Sequence, residues 1–185
     1  MKGIIFTEFI AFMEAAHGPD FSDDVIYESG LAERAAYTSV GTYDFSQMQM
    51  LLTAFCKKSN SGLPDALRSY GRFLSRTFQS KHRDMYAQYP DIIEFVSSVE
   101  NHIHMEVRKL YPDAQLPRFD VLERTPDRLV ISYRSCRPLV DLAAGLIEGS
   151  AAFYGQEATV RHRRQVADDG EFHIIELDAQ QAVLQ

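Results

Sequence analysis

Two groups of residues in this chain have the types and spacing for chemistry. The first is a pair of histidines one residue apart, His102 and His104, in the stretch HIHMEVRKLYPDAQLPRF. A neutral imidazole presented from a rigid helix into an apolar pocket can ligate a metal or a haem iron. The second lies in RLVISYRSCR, where Tyr133, Ser135 and Arg137 recur at every other position. A guanidinium grips a carboxylate through two parallel hydrogen bonds, and two hydroxyls beside it can donate more. Together the groups suit a ligand with an apolar body and carboxylates at one end. Each also has an ordinary reading, as half-buried histidines on a helix surface and as a strand running out into solvent.

The histidines must be positioned by a helix over PDIIEFVSSVENHIHMEVRKLY, which Pro90 and Asp91 open and which reads as the longest in the chain. Ile92, Val96, Val99, Ile103 and Leu110 define its central apolar face. His102 falls on one flank of that face, near Phe95 and Glu106, and His104 on the other, near Ile93 and Val107, so periodicity does not choose between them. A hydrolytic metal site built from His102, His104 and Glu106 is disfavoured, because helical residues two apart diverge by about 160° and cannot share one ion. The second group requires a strand. Alternation along it places Leu129, Ile131, Tyr133, Ser135 and Arg137 on one face, an apolar row turning polar at one edge.

The remaining elements follow from pattern and punctuation. An opening helix buries Ile5, Phe9, Phe12 and Ala16, and HGPDFSDD interrupts it. A short helix in DFSDDVIYESG ends at Gly30, and a third starts from Ser46 or Asp44 and stops at Ser-Asn-Ser-Gly. That loop divides a helical sub-lobe, about 1–62, from an α/β sub-lobe, about 63–185. LPDALRSYGRFLSRTF carries Leu67, Tyr70, Leu74 and Phe78 along one side. After Pro112, RFDVLERT and RLVISYRS form a hairpin around Pro-Asp, VDLAAGLIEGSAAFYG a helix, and EATVRHRRQV and EFHIIELD a second hairpin joined by ADDG. The expected class is α+β, with an antiparallel four-stranded sheet after a helical half.

Composition narrows the function classes. Acidic side chains outnumber basic ones, 26 to 19, for a formal charge of -7, and no basic stripe offers a footprint for nucleic acid. Glu8 and Glu14 interrupt what would be the apolar core of a signal peptide, and no run approaches membrane-spanning length. Cys56 and Cys136 stand in no metal-ligand spacing. A reduced, cytoplasmic protein without a membrane partner is expected.

MKGIIF at the start, IHMEVRKLYPDAQLPRF in the middle and YRSCRPL followed by GLIEG resemble the haem-nitric oxide/oxygen-binding (H-NOX) family, which also supplies the haem domain of soluble guanylate cyclase. The resemblance runs from residue 1 to about residue 178, and Tyr-x-Ser-x-Arg after a helical His segment is its most specific part. It implies a haem b whose five-coordinate ferrous iron is held by His104, with the propionates on Tyr133, Ser135 and Arg137. It places Pro117 against the macrocycle as the residue that distorts it, and Ile5, Phe78 and Leu146 among the apolar residues around it. His102 receives no role. Oxygen-binding members carry a distal tyrosine where this chain has Leu142, so nitric oxide, and carbon monoxide as a second gas, are the expected ligands and oxygen is excluded. Tyr43 is a tyrosine from elsewhere that could serve instead. Gas binding is expected to loosen the tether at His104, relieve the strain at Pro117 and rotate the sub-lobes without any catalysis. With no output module within residues 1–185, the signal is expected to pass to a separate protein, in bacterial members a histidine kinase or a diguanylate cyclase or phosphodiesterase. The alternative is a regulatory module that binds a different carboxylated apolar ligand through the same trio.

Overall fold

The computed structural model describes residues 1–168 and 170–182. The chain divides into two compact units, Met1–Tyr70 and one that begins at Gly71. It is a mixed helix and sheet protein, as the pattern of the sequence predicts: among the described residues seven α-helices precede an antiparallel four-stranded sheet and an eighth lies between its two hairpins.

The first unit is helical. Helix α1 (Gly3–His17) starts at a glycine for a steric reason: a Cβ on Gly3 would lie 1.9 Å from the carbonyl oxygen of Thr38. Phe6, Phe9, Phe12 and Met13 form its buried face, whereas Ile5 is half-buried and Ala16 exposed. Ala16 shares the angular position of the buried residues but sits in the last turn, beside the bend at Gly18. That bend is narrower than HGPDFSDD suggests. Gly18 alone, at φ +91°, turns the chain, and Pro19 opens α2 (Pro19–Glu28). Asp44 rather than Ser46 caps α3 (Phe45–Ser59), accepting from the Ser46 amide at 2.8 Å, and left-handed Asn60 ends it. Phe9, Phe12, Phe55 and Tyr70 pack ring to ring with centroids 5.1–6.1 Å apart, and the Tyr70 hydroxyl donates to the Ile5 carbonyl at 2.6 Å.

Helix α4 (Leu63–Lys81) carries the chain into the second unit, where the short α5 (Arg83–Tyr86) follows. The ligand helix is not regular. It comprises α6 (Ile92–Ser98), a π-helical turn (Val99–Ile103) and α7 (His104–Leu110), and α4 matches it in length. Asp91 caps it by accepting from the Glu94 amide at 2.8 Å. The sheet has the order β1-β2-β4-β3, with β1 (Arg118–Arg124), β2 (Arg128–Arg134), β3 (Gln156–Ala167) and β4 (Gly170–Gln181). The second hairpin is longer than its apolar pattern suggests, and Asp169 of its ADDG turn lies outside the described residues. Helix α8 (Val140–Ala151) approaches the later part of α4 so closely that a Cβ on Gly71 would lie 2.4 Å from the Leu142 carbonyl oxygen. One on Gly149 would lie 2.1 Å from Ser75 Oγ. Ile92, Val96, Ile131, Tyr133, Ile147 and Ile175 belong to one core that joins α6, α8 and the sheet. Among the described residues, no helix is long and apolar enough to cross a membrane.

Candidate functional site

The π-helical turn decides between the two histidines. It replaces the ordinary backbone bond by one from the His104 amide to the Val99 carbonyl, five residues back, and so rotates everything after it relative to a regular helical wheel. His104 becomes a buried polar residue with 9% exposure. Leu110, placed on the central apolar face by the regular wheel, is 71% exposed. His102 is half-buried, and its Nδ1 is hydrogen-bonded to the Tyr89 hydroxyl.

The His104 ring lies 5.5 Å from the ring of Phe119, and its Nδ1 is 3.2 Å from Glu100 Oε2. Burial pushes the imidazole pKa down, outweighing the opposing pull of Glu100, so the ring is held neutral. Burial alone would raise the Glu100 carboxyl. Hydrogen bonds from Arg108, His104 and the Phe119 amide outweigh it and keep the group below the usual carboxylate range. A carboxylate only accepts, so Nδ1 carries the proton and Nε2 is the nitrogen left to coordinate a metal. Among the described residues, no three His, Cys, Asp or Glu side chains converge as metal ligands. His104 is therefore a one-nitrogen donor, which suits a metal that arrives with its other ligands already bound, as iron does in a porphyrin.

The second group is reached through Phe119, whose ring lies 5.5 Å from both the His104 and the Tyr133 rings. Strand β2 stops at Arg134, so alternation does not carry Ser135 and Arg137 onto the face of Tyr133. They come there by a turn. The Ser135 hydroxyl accepts from the Arg137 amide at 3.1 Å and hydrogen-bonds the Tyr133 hydroxyl. All three line one cavity of ≈ 240 Å³ together with Cys136, Leu139, Val140 and His173. The Arg137 guanidinium uses both its terminal nitrogens on Gln115, at 2.8 Å to the backbone oxygen and 2.7 Å to Oε1. That is the fork geometry a carboxylate also takes. Burial pushes the Tyr133 hydroxyl up, so it remains a donor.

The other residues singled out from the sequence are placed as follows. Pro117 is half-buried immediately before β1, Phe78 packs at the margin of the second unit's core, Leu142 is buried on α8 and Leu146 half-buried one turn later. Ile5 belongs to the first unit. So does Tyr43, whose hydroxyl accepts from the Thr38 amide at 2.8 Å. Sequence reasoning missed Glu100, although a carboxylate four residues before a helical histidine is a visible signal. It also missed Gln115, Phe119 and His173, whose places depend on loop path and strand register. Tyr133 pairs with Phe119 on β1 and with His173 on β4.

The sequence profile of the Haem-NO-binding family matches residues 2–162. The chain belongs to the H-NOX family. Among solved structures it is similar to the unliganded Fe(II) H-NOX protein from K. algicida, at 34% identity over 100% of both chains with a TM-score of 0.89. A point mutant of that protein gives 36% identity over 98% of this chain and 97% of that one, with a TM-score of 0.88. An S. oneidensis H-NOX protein in its Fe(II)NO state shares the fold, with a TM-score of 0.86 at 24% identity over 98% of this chain and 100% of that one. No curated protein matches the chain. An H-NOX domain is a haem-binding sensor domain, and this one has a buried neutral imidazole, an apolar core and, at one cavity, two hydroxyls and a guanidinium, a set of groups that fits haem.

Proposed function

We propose that this H-NOX domain is a nitric oxide sensor that holds a ferrous, five-coordinate haem b through His104 and passes a conformational change to a separate signalling protein. The observation that carries the proposal is the buried His104 imidazole, held neutral with Nδ1 on Glu100 and Nε2 left to coordinate. When bound, the haem supplies the open iron position at which a diatomic gas is taken up. Tyr133, Ser135 and Arg137 would hold its propionates, with Arg137 exchanging the Gln115 oxygens for carboxylate oxygens. Pro117 would press on the macrocycle, and Ile5, Phe78, Leu142 and Leu146 would supply apolar surface.

Ligand choice rests on Leu142. An iron-bound dioxygen is polar and gains from a hydrogen-bond donor, while nitric oxide binds ferrous haem tightly without one. Leu142 donates nothing. The S. oneidensis relative is known in an Fe(II)NO form, and carbon monoxide is expected to bind as well. A histidine kinase or a cyclic-di-GMP enzyme is the proposed class of partner. The protein purified after expression with haem supply is expected to show a single Soret band in its reduced form. That band should shift on addition of nitric oxide and show no stable oxygen adduct in air. A colourless protein under those conditions contradicts the proposal, and a stable oxygen complex contradicts the role of Leu142.

A further inference from the structure

Glu100 stands on the π-helical turn and is the meeting point of three donors from three places in the chain. Its Oε2 accepts from His104 Nδ1 at 3.2 Å and from the backbone amide of Phe119, in β1, also at 3.2 Å. Its Oε1 accepts from Arg108 Nη2 at 3.0 Å, one turn beyond the histidine on α7. The π-helical turn is part of this arrangement. The His104 amide bonds the Val99 carbonyl rather than that of Glu100, and the side chains of residues 100 and 104 face each other across the widened turn.

We infer that Glu100 is the positioning residue for His104: it fixes the ring tautomer and orientation, adds electron density to the imidazole, and ties any movement of the ring to β1 through the Phe119 amide. The inference rests on the reading of His104 as the iron ligand. A carboxylate that takes the proton-bearing nitrogen of a metal-bound histidine strengthens the opposite nitrogen as a donor and locks its direction. The arginine and the amide hold the carboxylate still, so it cannot follow a ring that turns freely. Phe119 N lies two residues beyond Pro117, so the same carboxylate joins the ligand histidine to the strand that follows the proline proposed to press on the macrocycle. A pull on the ring acts on β1 directly, without first moving the whole helix.

The test compares the wild type with Glu100→Gln and Glu100→Leu, each expressed with haem supply and reduced without a gas ligand. Resonance Raman spectroscopy reads the iron–histidine stretch, and transfer to an excess of a haem-scavenging protein reads haem loss. The stretch is expected to fall in Glu100→Gln, which keeps the shape without the charge, and to fall further in Glu100→Leu. Haem loss from Glu100→Leu should be faster by about 10- to 100-fold. Variants that keep their Soret band with the stretch unmoved from the wild type overturn this inference and leave the ligand reading standing. A wild type that takes up no haem overturns both. Should Glu100→Leu fail to fold, the near-isosteric Glu100→Gln decides alone.

Discussion

The two units bury different kinds of residue, and the difference separates architecture from function. The first fills its interior with aromatic rings, Phe6, Phe9, Phe12, Phe55 and Tyr70, and the one phenol among them is satisfied by a backbone carbonyl. The second has an aliphatic centre of Ile92, Leu129, Ile131, Ile147 and Ile175 with polar groups set into its margin. His104 is buried beside a carboxylate that is itself held by three donors, and Tyr133, Ser135 and Arg137 gather at one cavity. Buried polar groups carry a desolvation cost that a purely structural core avoids. On the proposed function, His104 and Tyr133, the two of these groups that are buried, mark where the haem is held.

Substitutions can break or sharpen that contrast. Phe9→Ala, in the aromatic interior, should cost about 3–5 kcal/mol of folding stability, read by denaturant unfolding. The Soret position of the molecules that remain folded should not move, since the residue serves packing alone. Arg137→Ala should reverse this pattern. Its stability cost is small, but haem loss should quicken by about ten- to a hundredfold, the value of a charge-assisted hydrogen bond. Leu142→Tyr should have the smallest energetic effect and the most selective one. A single added donor is worth about 1 kcal/mol, enough to let an oxygen adduct appear in air while nitric oxide binding persists. An oxygen adduct already stable in the wild type would remove Leu142 from the account.

Much of the architecture is legible in the sequence because it is locally encoded. Asp44 and Asp91 cap their helices with side chains the sequence displays, and the Pro-Asp turn marks the first hairpin. Alternation correctly sets Leu129, Ile131 and Tyr133 in a strand, but β2 is buried on both faces, so the pattern carries no sign of where the strand ends. Ser135 and Arg137 join Tyr133 by a turn instead of by the pleat. The larger gap is the π-helical turn. One extra residue in a helical turn leaves no mark in a hydrophobic pattern, yet it moves Leu110 into solvent and buries His104 while His102 remains half-buried against Tyr89. A regular wheel treats the two histidines as equals, and only the backbone separates them. Glu100 is partly legible through its spacing to His104, whereas its bond to the Phe119 amide depends on where β1 passes.

The central claim is that one imidazole, at position 104, holds the iron. Haem content and the reduced absorption spectrum of His104→Gly and His102→Ala, each purified with and without added imidazole, test it most directly. The account predicts that His104→Gly loses its haem unless imidazole is supplied and that His102→Ala keeps a wild-type spectrum. Haem retained by His104→Gly without imidazole, or lost from His102→Ala, would contradict it.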